Sequence, residues 1–471
     1  MALVSHNCGL CLAHSLHDAY SLIGDLSHRG MEATGFMAVG DSIDVLKYVG
    51  PPGSKGLFDI DGLHSIFPAH KYHTFAAHVR YASMGRKDQI LEDAHPHVIG
   101  GEIDNRGNHI LIRNCDSAML HNGQIDQRFL GTYEGLRTGC DTEALLHHFK
   151  MLGPEGVLRT VPGAYTLIVA DKRRKDVIVL RDASGIKPGV MGIKDGKAVV
   201  ASEDIAIRKS GARYKFDLLP GAAYYMAPDG SYTYEVLVEP NLRKCFFEWN
   251  YLAHLDTVLG RISVRVVRES LGEQLVEEFC PEDIDFVTYL PRSPEVAAEA
   301  FAKKRGLPFV PVFYKLDGTR SFQGSTADER EDSINHNLFL SPQIAGMDSL
   351  DYLRGKVALI IDDSIVRGNN SRRAIELIRS TGVKKVYFAS YTPPIGIIGE
   401  DGEPRGCKSG VDMPLDDDFI ARGRDVSEIA SKLRVDGLGY LSLEGMISVY
   451  ERLGISGDNL CTFCVGGAEP F

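Results

Sequence analysis

Residues 357–371 read V-A-L-I-I-D-D-S-I-V-R-G-N-N-S, and this stretch decides the fold of the second half of the chain. It opens with an apolar, partly β-branched run, which predicts a short strand buried on both faces. Asp362 and Asp363 follow at once, and Ser371 is a suitable N-cap for a helix over residues 371–380. Residues 383–390 read as another strand, so the pattern predicts a β-α-β unit.

The chemistry of this stretch follows from its position in the unit. Ligands of such units bind at the carboxyl ends of the strands, and a loop that leads into a helix N-terminus favours phosphate. Paired carboxylates at that point can bind the hydroxyls of a ribose or a magnesium ion. Because a lone pair of aspartates is more often a plain acidic turn, the prediction depends on the whole string.

The whole string resembles the phosphoribosyl pyrophosphate motif of type I phosphoribosyltransferases, in the form V-D-D-S-I-V-R-G-T-T-S of the amidophosphoribosyltransferase family. The resemblance implies that Asp362 and Asp363 hold the ribose hydroxyls and Mg²⁺. It also implies that the residues after them wrap the 5-phosphate: Ser364, Arg367, Gly368, Asn369, Asn370 and Ser371. The two threonines of the family are asparagines here, so two hydroxyl donors are replaced by longer amides.

Length and composition limit the class of protein. A chain of 471 residues is expected to form about two domains. The net charge is −11, from 52 Lys and Arg against 63 Asp and Glu, so we expect no nucleic-acid partner. No apolar run approaches the roughly 20 residues that span a bilayer, and the N-terminus has no signal-peptide pattern. Nine cysteines in such a chain predict reduced thiols, metal ligation or catalysis in a cytoplasmic protein.

The first half contains many short strands and few long helices, which predicts sheets packed face to face with helices outside. Five short motifs follow one another along it: C-G-L from Cys8, H-R-G from His28, R-Y-A-S-M-G from Arg80, H-N-G from His121 and C-D-T-E from Cys140. In this order they resemble the motifs of class II glutamine amidotransferases. That family has an N-terminal-nucleophile αββα sandwich, so the resemblance implies this fold for residues 8–240.

The resemblance also implies a role for each motif. Cys8 would attack the glutamine amide with its own α-amino group as the base, which makes residues 1–7 a propeptide. The oxyanion hole is implied for Asn122 and Gly123. The contacts to glutamine are implied for four residues: Arg29, Arg80, Ser83 and Asp141. Ser83 stands where the family has a threonine, and the hydroxyl is kept.

Four cysteines form a second constellation, with a C-x-x-C at Cys461 and Cys464 and two distant partners, Cys245 and Cys407. Four thiolates suit either zinc or a [4Fe–4S] cluster. They fall where the iron–sulfur branch of the amidophosphoribosyltransferase family has its cluster ligands, so the resemblance implies a cluster. The other cysteines, Cys11, Cys115, Cys140 and Cys280, are expected to be buried thiols without a role.

Residues 241–471 are expected to form a type I phosphoribosyltransferase α/β domain that carries this cluster. Within it, the pattern predicts a helix from Val264 and a strand over residues 308–314. Two parts depart from the family: a P-R-S turn at residues 291–293 replaces P-E/D-T/S, and the flag that closes over pyrophosphate has lost cations. In the flag Arg320 and Arg330 match the family's phosphoribosyl pyrophosphate ligands, whereas Asn335 and Asn337 stand in place of Arg and Lys.

Together the two halves imply an amidophosphoribosyltransferase, which makes 5-phosphoribosylamine from glutamine and phosphoribosyl pyrophosphate in the first committed step of purine synthesis. The family also implies a homo-oligomer, a tetramer, and purine nucleotides as candidate feedback ligands. Glucosamine-6-phosphate or asparagine synthesis shares only the first half, and residues 362–368 argue against it. The other alternative is a nucleotide-binding regulator or stand-alone glutaminase of the same descent, which the asparagine substitutions leave open.

Overall fold

The computed structural model describes residues 8–53, 58–81, 89–130, 133–315, 337–411 and 413–470. Thirteen strands of the first half form one continuous hydrogen-bonded sheet, in the order β11-β9-β10-β1-β4-β2-β3-β6-β7-β8-β12-β13, with β5 beside β6. Their bounds are β1 Gly9–Ala13, β2 Ala33–Gly40, β3 Ile43–Val49, β4 Tyr72–Arg80, β5 His97–Asn105, β6 His109–Ile125, β7 Gly163–Asp171, β8 Val177–Arg181, β9 Val190–Lys194, β10 Lys197–Ala201, β11 Arg213–Asp217, β12 Ala222–Met226 and β13 Tyr232–Val236.

The long strand β6 turns this sheet into two layers. Its first residues pair with β3, whereas the part from Ser117 onward pairs with β7. One hydrophobic core therefore contains side chains of both layers, with Leu10 and Met37 from one and Ile168 and Tyr224 from the other. Antiparallel strands that bury both faces explain the nearly unbroken apolar runs of this region.

Helices cover the two outer faces of this sandwich. They are α1 Leu16–Asp25, α2 Ile60–Ile66, α3 Asp141–Thr160 and α4 Asp204–Lys209. Leu22 of α1 packs on the outer face of the layer that holds β1, and Leu146 of α3 packs on the outer face of the other layer. The αββα fold expected from the sequence is confirmed.

The second half is organised around a parallel sheet in the order β17-β22-β23-β24, with the predicted strand in its interior. The elements after β13 are β14 Lys244–Cys245, β15 Val258–Leu259, β16 Ile262–Ser263, α5 Val264–Glu278, β17 Phe286–Tyr289, α6 Glu295–Arg305, β18 Phe313–Lys315, β19 Leu338–Leu340, β20 Gln343–Ile344, β21 Met347–Asp348, α7 Ser349–Leu353, β22 Val357–Asp362, α8 Asn369–Ser380, β23 Lys385–Ser390, α9 Val426–Leu433, β24 Gly437–Tyr440, α10 Leu443–Arg452 and β25 Leu460–Cys461.

The two faces of the parallel sheet belong to different cores. Leu359 and Ile361 of β22 pack with α5, α6 and α10, whereas Ala358 and Ile360 pack with α8 and α9. Helices on both faces explain why β22 is apolar throughout, and they confirm the α/β class of this half. No helix in the described ranges has the length and apolar character needed to cross a membrane.

Three local predictions need correction. The helix after β22 begins at Asn369 with Gly368 as its N-cap, so Ser371 is not the N-cap but a buried residue of the first turn. Gly368 has a φ of +81°, which only glycine adopts freely, and this lets the loop enter the helix earlier. The strand predicted over residues 308–314 is shorter and shifted, because only Phe313–Lys315 pairs with β19. Cys280 is half-exposed, unlike Cys11, Cys115 and Cys140, which are buried as expected.

Candidate active sites

Cys8 lies immediately before β1 and is fully buried. Burial raises the pKa of its thiol to about 11, although the nearby cations Arg80, Lys187 and Arg29 act in the opposite direction. A thiol with such a pKa is protonated at neutral pH and reacts only if a base removes its proton. A base in the immediate neighbourhood of Cys8 is therefore required, which agrees with the role expected of its α-amino group.

Arg29 connects Cys8 to the second half of the chain. Its Nε donates to the Cys8 carbonyl oxygen at 2.9 Å, its Nη1 to Glu203 Oε1 at 2.6 Å and its Nη2 to Glu248 Oε1 at 3.0 Å. Burial opposes the charge of Glu203, but His28 and Arg29 outweigh it and hold the pKa of Glu203 well below its usual range. Glu203 also accepts from the Thr257 hydroxyl at 2.6 Å. The sequence missed both glutamates because they lie about 170 residues or more from Arg29 along the chain.

The predicted oxyanion residues lie on β6. Asn122 is fully buried, and its Nδ2 donates to Ser202 Oγ at 3.4 Å. The same oxygen accepts from the Leu10 backbone N–H at 3.0 Å, so one hydroxyl joins Asn122 to the strand that follows Cys8. Gly123 has a φ of +153°, and a Cβ there would lie 1.9 Å from the Ala164 carbonyl oxygen. The structure therefore brings the H-N-G motif beside the strand that carries Cys8.

Arg80 and Asp141, the predicted glutamine contacts, are both buried. Arg80 Nη2 lies 3.5 Å from Asp93 Oδ2. Asp141 is the first residue of α3, and its Oδ2 accepts from the Ile125 backbone N–H at 3.4 Å. Burial raises the pKa of Asp141 to about 6, and an ammonium group bound beside the carboxylate would lower it again. Ser83 lies outside the described residues.

Four buried histidines lie close to these residues, and no role was predicted for them: His78, His95, His97 and His121. The ring centroids of His78 and His95 are 4.2 Å apart, and those of His95 and His97 are 4.9 Å apart. Burial lowers the pKa of His78 and of His121 to about 3, so both imidazoles are neutral at physiological pH. Two of them, His95 and His97, belong to the string A-H-P-H. Two histidines on either side of a proline were the sequence feature that could have indicated this cluster.

The four cysteines of the second constellation meet at one place. Cys245 and Cys461 are neighbours across the short parallel pair β14–β25, and Cys407 and Cys464 belong to the same core. Burial, together with the neighbouring Cys407, raises the pKa of Cys461 to about 12. Cys407 Sγ accepts from the backbone N–H groups of Ser409 and Val411, each at 3.3 Å. A sulfur that accepts two N–H groups is arranged as a thiolate ligand, and this donor set fits an iron–sulfur cluster.

The aspartate pair lies at the carboxyl end of β22, where the sequence placed it. Asp363 N–H donates to Asp362 Oδ1 at 2.9 Å, and Ser364 Oγ donates to Asp363 Oδ1 at 2.7 Å. Burial raises the pKa of both carboxyl groups, that of Asp363 to about 6, and at Asp362 the charge of Asp363 raises it further. Two adjacent buried carboxylates form the hard oxygen donor set that suits Mg²⁺.

The loop after the pair leads into α8. Asn369 and Asn370 are its first two helical residues, so backbone N–H groups of the first turn are available to an anion. Arg372 donates to the side-chain oxygen of Asn369, which leaves the Asn369 amide nitrogen as the donor. Arg367 is held in an ion pair with Asp417, to which its Nε donates at 3.0 Å. Arg320 and Arg330 lie outside the described residues, as does Asn335.

One short segment joins the two sites. The π-helical turn Glu248–Leu252 contains Glu248, the partner of Arg29, and Asn250. Asn250 Nδ2 donates to Thr392 Oγ1 at 2.9 Å, and the Tyr391 hydroxyl donates to the Asn250 carbonyl oxygen at 2.8 Å. Those two residues directly follow β23, whose Ser390 Oγ donates to the Asp363 carbonyl oxygen at 3.2 Å. Buried hydrogen bonds and peptide links therefore connect the surroundings of Cys8 with those of Asp363.

Comparisons with known proteins cover both halves. Residues 104–229 match the family model of the glutamine amidotransferase domain. The chain is 30% identical to the amidophosphoribosyltransferase of Methanothermobacter thermautotrophicus, over 96% of this chain and 90% of that protein. A solved structure of the allosteric regulatory enzyme of purine biosynthesis has a TM-score of 0.78 and 25% identity over 98% of this chain and 96% of that one. The glutamine phosphoribosylpyrophosphate (PRPP) amidotransferase from B. subtilis, complexed with ADP and GMP, has a TM-score of 0.76 and 25% identity, with coverage of 98% and 97%.

Proposed function

The chain belongs to the amidophosphoribosyltransferase family and is an enzyme of that class, and we propose that it joins the nitrogen of glutamine to the ribose of PRPP in two sites. The products are 5-phosphoribosylamine, pyrophosphate and glutamate, in the first committed step of purine synthesis. The observation that carries the proposal is that one chain holds a buried Cys8 site and a buried aspartate pair, joined through the turn Glu248–Leu252.

In the glutaminase reaction, Cys8 Sγ forms a bond to the amide carbon of glutamine, and ammonia leaves after its nitrogen takes a proton. The α-amino group of Cys8, once residues 1–7 are removed, takes the thiol proton and passes it to the leaving nitrogen. Asn122 and Gly123 donate to the oxyanion of the tetrahedral intermediate. Arg80 and Asp141 hold the α-carboxylate and the α-ammonium group, Ser83 would contribute its hydroxyl to glutamine binding, and Arg29 orders the site. Water then releases glutamate.

In the transferase reaction, ammonia forms a bond to C1 of the ribose while the bond from C1 to the pyrophosphate oxygen breaks. Asp362 and Asp363 hold the ribose hydroxyls, and the loop residues hold the 5-phosphate: Ser364, Arg367, Gly368, Asn369, Asn370 and Ser371. Asp362 and Asp363 would also hold Mg²⁺, which would supply positive charge to offset that of the pyrophosphate. Arg320 and Arg330 of the flag would contact the same group. Catalysis in this half is mainly positioning and electrostatic stabilisation.

A [4Fe–4S] cluster held by Cys245, Cys407, Cys461 and Cys464 would act as a structural clip. These cysteines come from the domain junction, from residue 407 and from the C-terminal segment, so the cluster would close long loops of the chain. A single zinc ion, with Zn–S bonds of about 2.3 Å, needs sulfur atoms roughly 4 Å apart. Among the described residues, the group of three donor atoms within 4.8 Å of one another lies elsewhere, at His95, His97 and Cys140, so the four sulfurs are spaced more widely than zinc requires. We therefore propose the cluster rather than zinc.

The test of the function is pyrophosphate release by purified, cluster-loaded protein with PRPP, Mg²⁺ and either glutamine or ammonia. We expect release with both nitrogen sources, and glutamate formed in equal amount in the glutamine assay. Glutaminase activity without pyrophosphate release at saturating PRPP would instead establish the regulator alternative, which none of the relatives named above supports. Purine nucleotides in the same assay test feedback, because a relative binds ADP and GMP.

Several other expectations belong to the same proposal. The domain boundaries at residues 8–240 and 241–471, the cytoplasmic location and the homo-oligomer follow from the sequence and the family. Residues 1–7 lie outside the described part of the chain, and N-terminal sequencing of active protein tests their removal. Iron analysis of anaerobically purified protein tests the cluster, with about four irons per chain expected.

A further inference from the structure

A compact set of metal-type ligands lies in the first half, far in sequence from the four cysteines. His95, His97 and Cys140 are buried, and one donor atom from each lies within 4.8 Å of the other two. The histidines precede and begin β5, and Cys140 is the N-cap residue of α3, although its side chain makes no capping hydrogen bond. The proposed function gives none of these side chains a role.

The surroundings of the three residues are those of ligands held in place by neighbours. His97 Nε2 lies 3.3 Å from the Asp93 carbonyl oxygen, and His95 Nε2 lies 2.9 Å from Thr142 Oγ1. Metal-binding imidazoles commonly use one ring nitrogen for such a contact, which fixes the ring and presents the other nitrogen to the cation. Cys140 Sγ lies 3.5 Å from the same Thr142 hydroxyl, so one residue contacts both sides of the set.

The donor types select the cation. Two imidazole nitrogens and one thiolate suit a borderline cation such as Zn²⁺, whereas Mg²⁺ and Ca²⁺ prefer oxygen ligands. The present donor spacing of up to 4.8 Å must contract to the roughly 3–4 Å that tetrahedral zinc imposes, which is a movement of side chains. Lys47 and Arg80 are the cations close to Cys140, and Asp93 lies near both of them. Asp141 Oδ1 lies 3.6 Å from Cys140 Sγ.

We propose that His95, His97 and Cys140 bind one zinc ion, which fastens the start of β5 to the start of α3. A fourth coordination position would be left to water, as in other three-ligand zinc sites. This site is separate from the four-cysteine constellation, which offers sulfur alone.

The location of the site gives it a consequence for the enzyme. Asp141 follows Cys140 directly, and Thr142 Oγ1 donates to Asp141 Oδ1 at 3.2 Å. A zinc ion at Cys140 would therefore fix the carboxylate that receives the glutamine α-ammonium group. This consequence, unlike zinc binding itself, rests on the proposed function.

The test uses untagged full-length protein whose iron content is measured in parallel. Metal analysis should find one zinc per chain, and zinc-edge X-ray absorption should give one sulfur at about 2.3 Å and nitrogen or oxygen at about 2.0–2.1 Å. Competition with a chromophoric chelator should show that Cys140→Ser and His97→Asn each bind zinc at least about a hundredfold more weakly. The control is Cys115→Ser, a buried cysteine outside the set, which should bind zinc like the unaltered protein.

The outcomes separate this proposal from the function. A protein that binds no zinc, or binds it with four sulfur ligands, overturns the site even if pyrophosphate release is normal. Zinc bound with one sulfur ligand supports the site even if the protein makes no 5-phosphoribosylamine. Unchanged zinc affinity in Cys140→Ser also overturns it, and the absorption spectrum of unaltered protein decides the matter if that variant does not fold.

Discussion

The glutamine site and the ribose site place charge in buried surroundings in opposite ways. Next to Cys8, Arg29 meets Glu203 and Glu248, so a buried cation has two carboxylates as partners. At the end of β22, Asp362 and Asp363 lie side by side, and each carboxyl group has a raised pKa. The buried cation beside Cys8 is therefore compensated within the folded chain, whereas the aspartate pair brings like charges together.

The difference fits the proposed roles of the two groups. Arg29 orders the Cys8 site, and its buried charge is compensated by protein carboxylates, so it needs no charge from a ligand. The carboxylate pair would be well suited to Mg²⁺ brought by PRPP, and it is costly without a cation. Preorganisation is therefore built into one site and shared with the ligand in the other.

The largest effect is expected from removing the nucleophile. Cys8→Ala should lower glutamine-dependent pyrophosphate release by at least about 10⁴-fold, because no other group forms the thioester. Ammonia-dependent release should persist, since the ribose site is untouched. Cys11→Ala is the matched control, because Cys11 is equally buried but donates to the Ala19 carbonyl oxygen on the outer face of β1. Loss of the ammonia reaction in Cys8→Ala would contradict the separation of the two sites.

The reciprocal change removes charge from the ribose site. Asp362→Asn combined with Asp363→Asn should lower pyrophosphate release by about 10³-fold or more with either nitrogen source, since two charged contacts to the cation and ribose are lost. Glutamine hydrolysis should remain measurable, and the assay is glutamate formation with and without PRPP. Equal loss with Cys8→Ala and with this double variant in every assay would mean that the chain has a single site.

Breaking the buried ion pair should affect both stability and communication. Glu248→Gln weakens the charged contacts of Arg29, which keeps Glu203 as its carboxylate partner, and should lower the free energy of unfolding by about 2–3 kcal/mol. Glutamine-dependent turnover should fall more than ammonia-dependent turnover, because Arg29 also holds the Cys8 carbonyl oxygen.

Urea unfolding and the two activity assays measure these effects of Glu248→Gln. Glu277→Gln is the control, since Glu277 pairs with Lys304 on the surface and its loss should leave stability unchanged. An equal fall in the glutamine and ammonia reactions of Glu248→Gln would contradict a specific link to Cys8.

The smallest effect concerns pH and the aspartate pair. Asp363 titrates at about 6 in the folded protein, against about 3.9 in an unfolded chain. Its raised pKa contributes stability that is complete below about pH 4 and is lost as the pH rises through about 6. Without Mg²⁺, the free energy of unfolding of the unaltered protein should therefore fall between pH 4 and pH 7. This fall should be about 2–3 kcal/mol larger than the change in Asp363→Asn over the same pH range, because the variant lacks the titrating carboxyl group. If the free energies of unfolding of the two proteins changed with pH in the same way, the pKa of Asp363 would not be raised in the folded protein, which would contradict this prediction.

The sequence alone was sufficient for the parts of this protein that depend on nearby residues. The apolar run 357–361 identified β22 with the aspartates at its end, and the pattern of residues 371–380 identified the helix after it, because strand burial and helix periodicity are local patterns. The predicted N-cap of that helix was wrong by three residues. The N-cap preference of Ser371 is local too, but the helix begins earlier, at the left-handed Gly368, where a Cβ would meet Ile420 and Leu433 from distant parts of the chain.

Only the tertiary structure decided which distant residues meet. Glu203 and Glu248 look like ordinary surface acids in the sequence, yet both are buried on Arg29. Cys140 likewise reads as a lone thiol until α3 and β5 bring it to His95 and His97. Local sequence determines the period and the ends of an element, whereas these contacts arise from the order of strands across two layers and from the junction between the halves. Burial then makes an unpaired charge too costly to keep, and this long-range requirement has no local pattern to reveal it.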